Sequence, residues 1–172
     1  PVVLGFSLLP FLLLDTRFVL QKRISLGLTT LLAVVPALVW YFYWVQHLNQ
    51  QEGFVHFFMG KDWKTGALEL FENRSAAANM FYETAIKFVG FGLFIAGIVL
   101  TIVKKEKMLF AFWIVSSVLF VAFMFKAGDN FTRHSYYMIP YIPVMAFFAA
   151  YPLQAIKNKK IASLLLMAVV LE

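Results

Sequence analysis

The stretch from Met108 to Phe125, MLFAFWIVSSVLFVAFMF, runs for 18 residues without a charged side chain. A helix needs about 20 consecutive, mainly apolar residues to cross the hydrocarbon core of a bilayer. Lys107 precedes the stretch and Lys126 follows it, so charge marks both of its ends. The stretch therefore predicts a transmembrane helix, and the same criterion can be applied to the rest of the chain.

The composition also indicates a membrane protein. Of the 172 residues, 62% are hydrophobic and 14% are charged, whereas soluble domains have about 45–50% apolar and about 25% charged residues. A soluble fold of this length could not hide so much apolar surface. The absence of cysteine excludes disulfides and thiol catalysis and leaves the redox compartment undetermined. The net charge of +6 does not indicate a nucleic-acid partner, because the basic residues fall in short clusters between apolar runs.

The uncharged runs predict an all-α fold, a polytopic bundle of transmembrane helices that forms a single region over residues 1–172. The four complete spans are 24–45, 76–103, 108–125 and 135–156, and the two partial spans are 1–14 and 161–170. The span over 76–103 joins the uncharged run after Lys87 to a helix that begins near Ser75. Because the chain begins and ends within apolar runs, we expect it to be a piece of a longer membrane protein.

The basic residues predict the orientation of these spans. Three short connections contain nine of the fifteen lysines and arginines, namely Arg17, Lys22, Arg23, Lys104, Lys105, Lys107, Lys157, Lys159 and Lys160. These connections share one side if every span crosses, and the positive-inside rule assigns that side to the cytoplasm. The outer loop 46–75 and residues 126–134 then lie on the non-cytoplasmic side of an inner or plasma membrane, or of the endoplasmic reticulum membrane in a eukaryote.

The outer loop 46–75 is too apolar for a solvated linker, because Phe54, Met59 and Trp63 are among its residues. It predicts helical segments that lie on the membrane surface, with a polar face to water and an apolar face to lipid. A loop folded onto the ends of the spans is the alternative.

The sequence contains no recognisable catalytic or metal-binding pattern. His47, His56 and His134 do not have the spacing of a metal-binding pair, and no cysteine or close carboxylate pair completes a site. A glycine-rich phosphate loop, a Ser-His-Asp arrangement and a basic, aromatic stripe for nucleic acid are also missing. We therefore predict no catalytic residue, no metal ligand and no nucleic-acid partner for residues 1–172.

The segment 132–143, TRHSYYMIPYIP, places Arg133 and His134 directly before an apolar run that contains two prolines. The planar fork of arginine suits a phosphate group, and a helix that begins nearby would add backbone N–H donors. An amphiphile fits this arrangement, with its phosphate head at Arg133 and its lipid tail in a groove between spans. Pro140 and Pro143 would bend the helix next to such a cavity. Alternatively, Arg133 and His134 are boundary residues that extend toward lipid headgroups.

The segment 130–143 resembles a late span of polyprenyl-phosphate-dependent membrane glycosyltransferases. These are the enzymes of the dolichyl-phosphate-mannose protein mannosyltransferase and aminoarabinose transferase type, in the glycosyltransferase C superfamily. A pattern like Arg-His-x-Tyr-Tyr-x-x-Pro-x-x-Pro recurs in that family. Arg133, His134, Tyr136, Tyr137, Pro140 and Pro143 fill this pattern here. The remainder of the chain is similar only in its arrangement of spans and loops.

The resemblance implies an integral membrane enzyme that moves a sugar from a polyprenyl-phosphate carrier to a lipid, protein or glycan acceptor on the outer face. It implies that Arg133, with His134 or Tyr137, binds the donor phosphate. Lys61 or Lys64 in the outer loop could assist, although neither matches a family motif. The catalytic acid of the family usually lies in the first outer loop, which has no counterpart here. The resemblance therefore implies that the chain is the C-terminal part of the enzyme and is inactive alone. No cofactor is identifiable in it, and the complete enzyme could still use a divalent metal.

Two other functions remain open. A transporter, or a lipid or assembly scaffold subunit, would use Arg133 and His134 only as boundary residues. The uncharged cores of the spans count against ion-coupled transport, because transporters often carry ionisable groups within their spans. A polymerase or ligase of surface polysaccharide would share the lipid-phosphate donor and cannot be distinguished by these residues.

Overall fold

The computed structural model describes residues 19–53 and 61–172, and in these two ranges the chain forms helices and no strands. The predicted all-α class is therefore confirmed for these residues. The predicted partial span 1–14 lies outside them, as do Phe54 and Met59 of the predicted outer loop. The helices, in chain order, are α1 Leu20–Glu52, α2 Trp63–Glu72, α3 Arg74–Ala85, α4 Lys87–Val103, α5 Lys107–Ala127, α6 Asn130–Arg133, α7 Ile142–Ala155 and α8 Lys159–Leu171.

Within the described ranges, two helices, α1 and α5, are long and apolar enough to cross a membrane. The 21 residues of α5 correspond to about 32 Å, which matches a hydrocarbon core of about 30 Å. Helix α1 contains the predicted span 24–45 and continues to Glu52, with one wider π-helical turn at Trp40–Trp44. Most of its large apolar side chains are exposed, so its surface suits contact with lipid.

The predicted continuous span over 76–103 is instead a pair of helices, α3 and α4, which meet at a bend of 98°. The chain turns at Lys87, whose φ of 59° lies in the left-handed region. Phe81 of α3 packs edge-on against Phe120 of α5, with the ring centroids 6.0 Å apart. This burial holds α3 across α4 rather than in line with it. Counted as one span, the bent pair would be a third membrane-crossing candidate.

The predicted span over 135–156 is also interrupted. A 3-10 turn at Ser135–Met138 comes first, and α7 follows after Pro140. Pro140 has no N–H to continue the hydrogen-bond ladder of a helix. Pro143 lies in the first turn of α7, where N–H groups have no helical partner, so it does not destabilise the helix. The 14 residues of α7 correspond to about 21 Å, less than a full hydrocarbon core.

The core is built where α4, α5 and α7 meet. The backbone of Gly97 in α4 lies against the carbonyl of Phe148 in α7, and small residues permit this close approach between helices. The rings of Phe120 and Tyr141 stack with their centroids 4.6 Å apart. Among the described residues, helices α2 to α7 therefore share one aromatic core, to which neither α1 nor the predicted partial span 161–170, in α8, contributes a buried residue.

Candidate functional site

Arg133 and His134 lie in the connection between α5 and α7, which is fixed on both sides. Gly128 turns the chain out of α5 with a φ of 58°, a conformation that favours glycine. Phe131 and Met138 are fully buried in the core, before and after the pair. These anchors hold Arg133 and His134 at a defined place on the surface.

The guanidinium of Arg133 is open to solvent on most of its surface. Its side chain is 68% exposed, and its Nη2 lies 2.9 Å from Oδ2 of Asp129, one turn earlier. Water screens an exposed pair of this kind, so the pair contributes little to stability. The remaining N–H donors of the fork are accessible to a phosphate group that approaches from solvent.

The residues that follow Arg133 form an aromatic stack. The rings of His134 and Tyr136 are 5.2 Å apart and nearly parallel, and those of Tyr136 and Tyr137 are 4.7 Å apart. Tyr137 is half-buried and contacts Phe123 of α5, whereas His134 and Tyr136 are exposed. The stack therefore runs from the surface toward α5, and the imidazole of His134 is its accessible polar end.

Lys61 connects α2 to the segment that follows α5. Its Nζ donates to Oε1 of Glu69 in α2 at 2.5 Å and to Oδ1 of Asp129 at 3.1 Å. The bond to Glu69, followed by the bond to Asp129, raises the pKa of Lys61 above its ordinary value. The bond from Lys61 holds the pKa of Asp129 below its ordinary value. Lys61 would have to give up these partners to bind a phosphate, so the geometry favours a structural role for it.

Lys126 and Gly66 also attach α2 to α5. The Nζ of Lys126 donates to the backbone carbonyl of Lys61 at 2.6 Å and lies 5.3 Å from the centre of the Trp63 ring. At Gly66, a Cβ would overlap the carbonyl of Phe125, so only glycine allows α2 to approach this closely. These contacts place α2 beside the Arg133 segment.

Five charged side chains thus form a cluster where α2 contacts the C-terminal end of α5. The cations are Lys61, Lys126 and Arg133, and the carboxylates are Glu69 and Asp129. Three positive and two negative charges leave one net positive charge. Among these five side chains, Lys126 donates to a backbone carbonyl rather than to a carboxylate, and Arg133 is the most exposed of the ion-paired members.

We expect the attachment of α2 to weaken in acid. The pKa of Asp129 is lowered on folding, so its contribution is present above the ordinary carboxyl pKa of 3.8 and is lost as the pH falls through the lowered value. The sequence has no cysteine, so a spin-label pair can be introduced at the exposed positions Leu68 and Val118. The distance between the labels should be narrow at neutral pH and should broaden below pH 3.8.

The matched variants for this measurement are Asp129→Asn and Lys64→Gln. Asp129→Asn should give a broad distance distribution already at neutral pH, because Lys61 loses one of its two carboxylates. Lys64 is exposed, and its side chain takes no part in the cluster, so Lys64→Gln should behave like the unsubstituted chain. A distribution that stays narrow in Asp129→Asn would exclude Asp129 from the attachment.

An apolar groove of about 310 Å³ lies between α3, α4 and α5. Its lining is mainly aromatic and aliphatic and consists of Ala78, Phe81, Tyr82, Phe91, Phe94, Ile95, Ile98, Trp113, Ser117 and Tyr141. The hydroxyls of Ser117 and Tyr141 lie 2.6 Å apart and hydrogen-bond to each other, so the exposed lining of the groove is apolar. The bend between α3 and α4 opens this groove, which suits a hydrocarbon chain.

Within residues 19–53 and 61–172, no three His, Cys, Asp or Glu side chains converge as a metal site would require. The ring of His47 is stacked parallel to that of Tyr43, one turn earlier in α1. His134 belongs to the aromatic stack, and His56 lies outside the described residues. The described side chains therefore offer a cation and aromatic rings rather than a set of metal ligands.

The sequence did not single out Glu69 or the walls of the groove. Glu69 accepts from Lys61 and also from the backbone N–H of Asp129 at 2.9 Å. A Cβ at Gly128 would overlap its carboxylate. The signal that could have suggested this contact is a lone carboxylate within ALELF, one turn after Gly66.

Comparisons of the chain with protein-family models, curated proteins and solved structures found no match.

Proposed function

We propose that the chain is the lipid-phosphate-binding part of an integral membrane glycosyltransferase. The enzyme would move a sugar from a polyprenyl-phosphate carrier to an acceptor on the outer face of the membrane. One observation carries this proposal: an exposed arginine and an aromatic stack, in the order of the family pattern, lie on the connection that leads to Tyr141 at an apolar groove. A phosphate head and a hydrocarbon tail need these two surfaces next to each other.

Arg133 would hold the phosphate of the donor. In the proposed transfer, the acceptor oxygen forms a bond to the anomeric carbon while the bond from that carbon to the phosphate oxygen breaks. The electron pair stays on the phosphate, and a carboxylate outside residues 1–172 takes the proton of the acceptor. A cation positioned at the phosphate lowers the barrier, because negative charge grows there as the bond breaks.

His134 and Tyr137 would complete the head site. The imidazole of His134 is exposed and offers a ring nitrogen as a hydrogen-bond donor. Tyr137 is packed against Phe123 and connects the site to α5. In this proposal Lys61 acts indirectly, because it holds Asp129 and thereby the partner of Arg133.

The predicted membrane arrangement agrees with this assignment. The predicted topology places Arg133 on the non-cytoplasmic side, and the lysine-rich turns Lys104–Lys107 and Lys157–Lys160 on the cytoplasmic side. A donor with its phosphate at the outer headgroup level would then extend its tail toward the middle of the bilayer, along the groove. The proposed protein is multi-pass and has no nucleic-acid partner.

A non-enzymatic membrane protein is the second candidate, and the Arg133–Asp129 pair favours it. A boundary arginine of a transporter or scaffold subunit would also be exposed and paired with a carboxylate one turn away. The two candidate functions differ in what the groove has to bind. Only the transferase requires a long polyprenyl chain to lie in it.

The proposed function can be tested by filling the groove and measuring lipid binding. Ile95 lines the groove and is partly exposed, so Ile95→Trp would fill the space without disturbing the core. Binding of a long-chain polyprenyl phosphate to the complete protein in detergent should weaken about tenfold, because about two methylenes lose their burial at about 0.8 kcal/mol each. A short-chain phosphate should bind equally well to both forms.

Val99→Trp is the matched control. Val99 lies one helical turn from Ile95, is 53% exposed, and does not line the groove. It should leave the affinity for the long-chain lipid unchanged. Equal affinities in the unsubstituted protein, Ile95→Trp and Val99→Trp would exclude the groove as the tail site and favour the non-enzymatic candidate.

A further inference from the structure

A second cavity lies at the opposite end of α4 and α5 from Arg133, beside the tight turn that joins these helices. It has a volume of about 170 Å³ and is lined by Thr101, Ile102, Lys105, Glu106, Lys107 and Phe110. Ile102 and Phe110 are both partly exposed and form an apolar wall. The three charged residues are exposed and form the rim.

The turn itself is built in an unusual way. Lys105 has a φ of 57°, a left-handed conformation that glycine or asparagine adopts more easily than lysine. Three backbone hydrogen bonds close the turn. The N–H of Lys105 donates to the carbonyl of Ile102 at 3.0 Å, that of Glu106 to the carbonyl of Thr101 at 3.0 Å, and that of Lys107 to the carbonyl of Lys105 at 2.9 Å. The hydroxyl of Thr101 donates to the carbonyl of Gly97 at 2.9 Å. These backbone groups and the Thr101 hydroxyl therefore have partners within the chain, and the charged side chains of the rim face solvent.

We propose that this cavity binds one anionic phospholipid from the adjacent leaflet. Lys105 and Lys107 would contact the phosphate, and the first part of an acyl chain would lie along Ile102 and Phe110. Glu106 is on the same rim, so the three charges sum to +1, which matches one phosphodiester. A headgroup with hydroxyls, as in phosphatidylglycerol, would also supply donors to the Glu106 carboxylate.

Charge complementarity and size support this partner. Clusters of lysines at the end of a membrane helix attract anionic lipids, with about 1 kcal/mol for each lysine near the surface. The cavity is smaller than the roughly 300 Å³ of typical small-molecule sites, so it fits part of a lipid at the protein surface rather than an enclosed ligand. The site does not depend on the function proposed for Arg133.

The experiment measures lipid binding by native mass spectrometry of the complete protein released from detergent. Phosphatidylglycerol and phosphatidylcholine are titrated separately, and the first bound lipid is quantified. The unsubstituted protein should bind phosphatidylglycerol more tightly than phosphatidylcholine. The double variant Lys105→Gln, Lys107→Gln should weaken phosphatidylglycerol binding roughly thirtyfold, as expected for two lysines, and should leave phosphatidylcholine binding unchanged.

The matched control is Lys159→Gln, Lys160→Gln. These lysines are also exposed and lie at the start of α8, in the other basic segment, but they do not line the cavity. Phosphatidylglycerol binding should be retained in this variant. An equal loss in both double variants would mean diffuse attraction to all the lysines and would overturn the proposal.

Phe110→Ser tests the apolar wall separately from the charges. Phe110 is 40% exposed, so its replacement should be tolerated. The affinity for phosphatidylglycerol should fall, because the acyl chain loses its contact while both lysines remain. Unchanged affinity in this variant, or displacement of the lipid by inorganic phosphate, would show that the rim binds only a phosphate ion and would reject the lipid site.

Discussion

Replacing Gly97 by alanine is expected to lower the free energy of unfolding by about 3 kcal/mol, the upper end of the usual cost of overpacking. A Cβ at this position would overlap the carbonyl oxygen and carbonyl carbon of Phe148 in α7. Both of these are backbone atoms, so no side-chain rotation can relieve the overlap. The helices α4 and α7 would have to move apart, and the packing around Phe94 and Phe148 would loosen with them.

Gly92→Ala is the matched control for this prediction, because Gly92 lies on the same helix and its Cβ would meet no atom within 4 Å. Alanine is a better helix former than glycine by up to about 1 kcal/mol, so this variant should be as stable as the unsubstituted chain or more stable. Thermal unfolding in detergent, followed by circular dichroism, measures both variants. If Gly97→Ala unfolded at the same temperature as Gly92→Ala, the close approach of α4 and α7 would be refuted.

The helical class of the chain could be predicted because the signal for it is local. The uncharged run in α5 has charged residues at both ends, and the helix in the structure begins and ends close to them, at Lys107 and Ala127. Length and hydropathy within one segment decide such a helix. No knowledge of its neighbours is needed.

The bend at Lys87 could not be predicted because its cause is not local. Continuous helical propensity from Ser75 onward gave no reason for a break. Phe81 contacts Phe120, Phe131 and Tyr141, which come from distant parts of the chain. Packing against these rings overrides the local preference for one straight helix.

The candidate site could likewise be predicted only where its signal is local in the sequence. The order of residues in the family pattern pointed to Arg133 and His134, and the structure places both on the surface. The contact between Lys61 and Asp129 joins residues 68 positions apart, and it changes the role expected for Lys61. A single sequence does not contain the information that these two side chains meet.

Arg133→Ala should reduce sugar transfer by the complete protein about 10²- to 10³-fold, the usual cost of removing one group that stabilises developing charge. The loss should appear mainly in kcat, because the phosphate becomes more negative as the sugar leaves it. Arg133→Lys should recover part of the rate, since lysine keeps the charge but lacks the planar fork. Transfer from a polyprenyl-phosphate sugar in proteoliposomes measures both variants.

Two further variants separate the cation from its surroundings. Arg74→Ala is the control for loss of an exposed arginine, because Arg74, at the start of α3, lies over the ring of Phe71 of α2 and outside the cluster. Its rate of transfer should be unchanged. Asp129→Asn keeps Arg133 but removes its partner, so its rate should fall less than that of Arg133→Ala. Normal transfer by Arg133→Ala, with intact expression and membrane insertion, would leave Arg133 as a boundary residue. The non-enzymatic candidate would then account better for the aromatic stack and the groove.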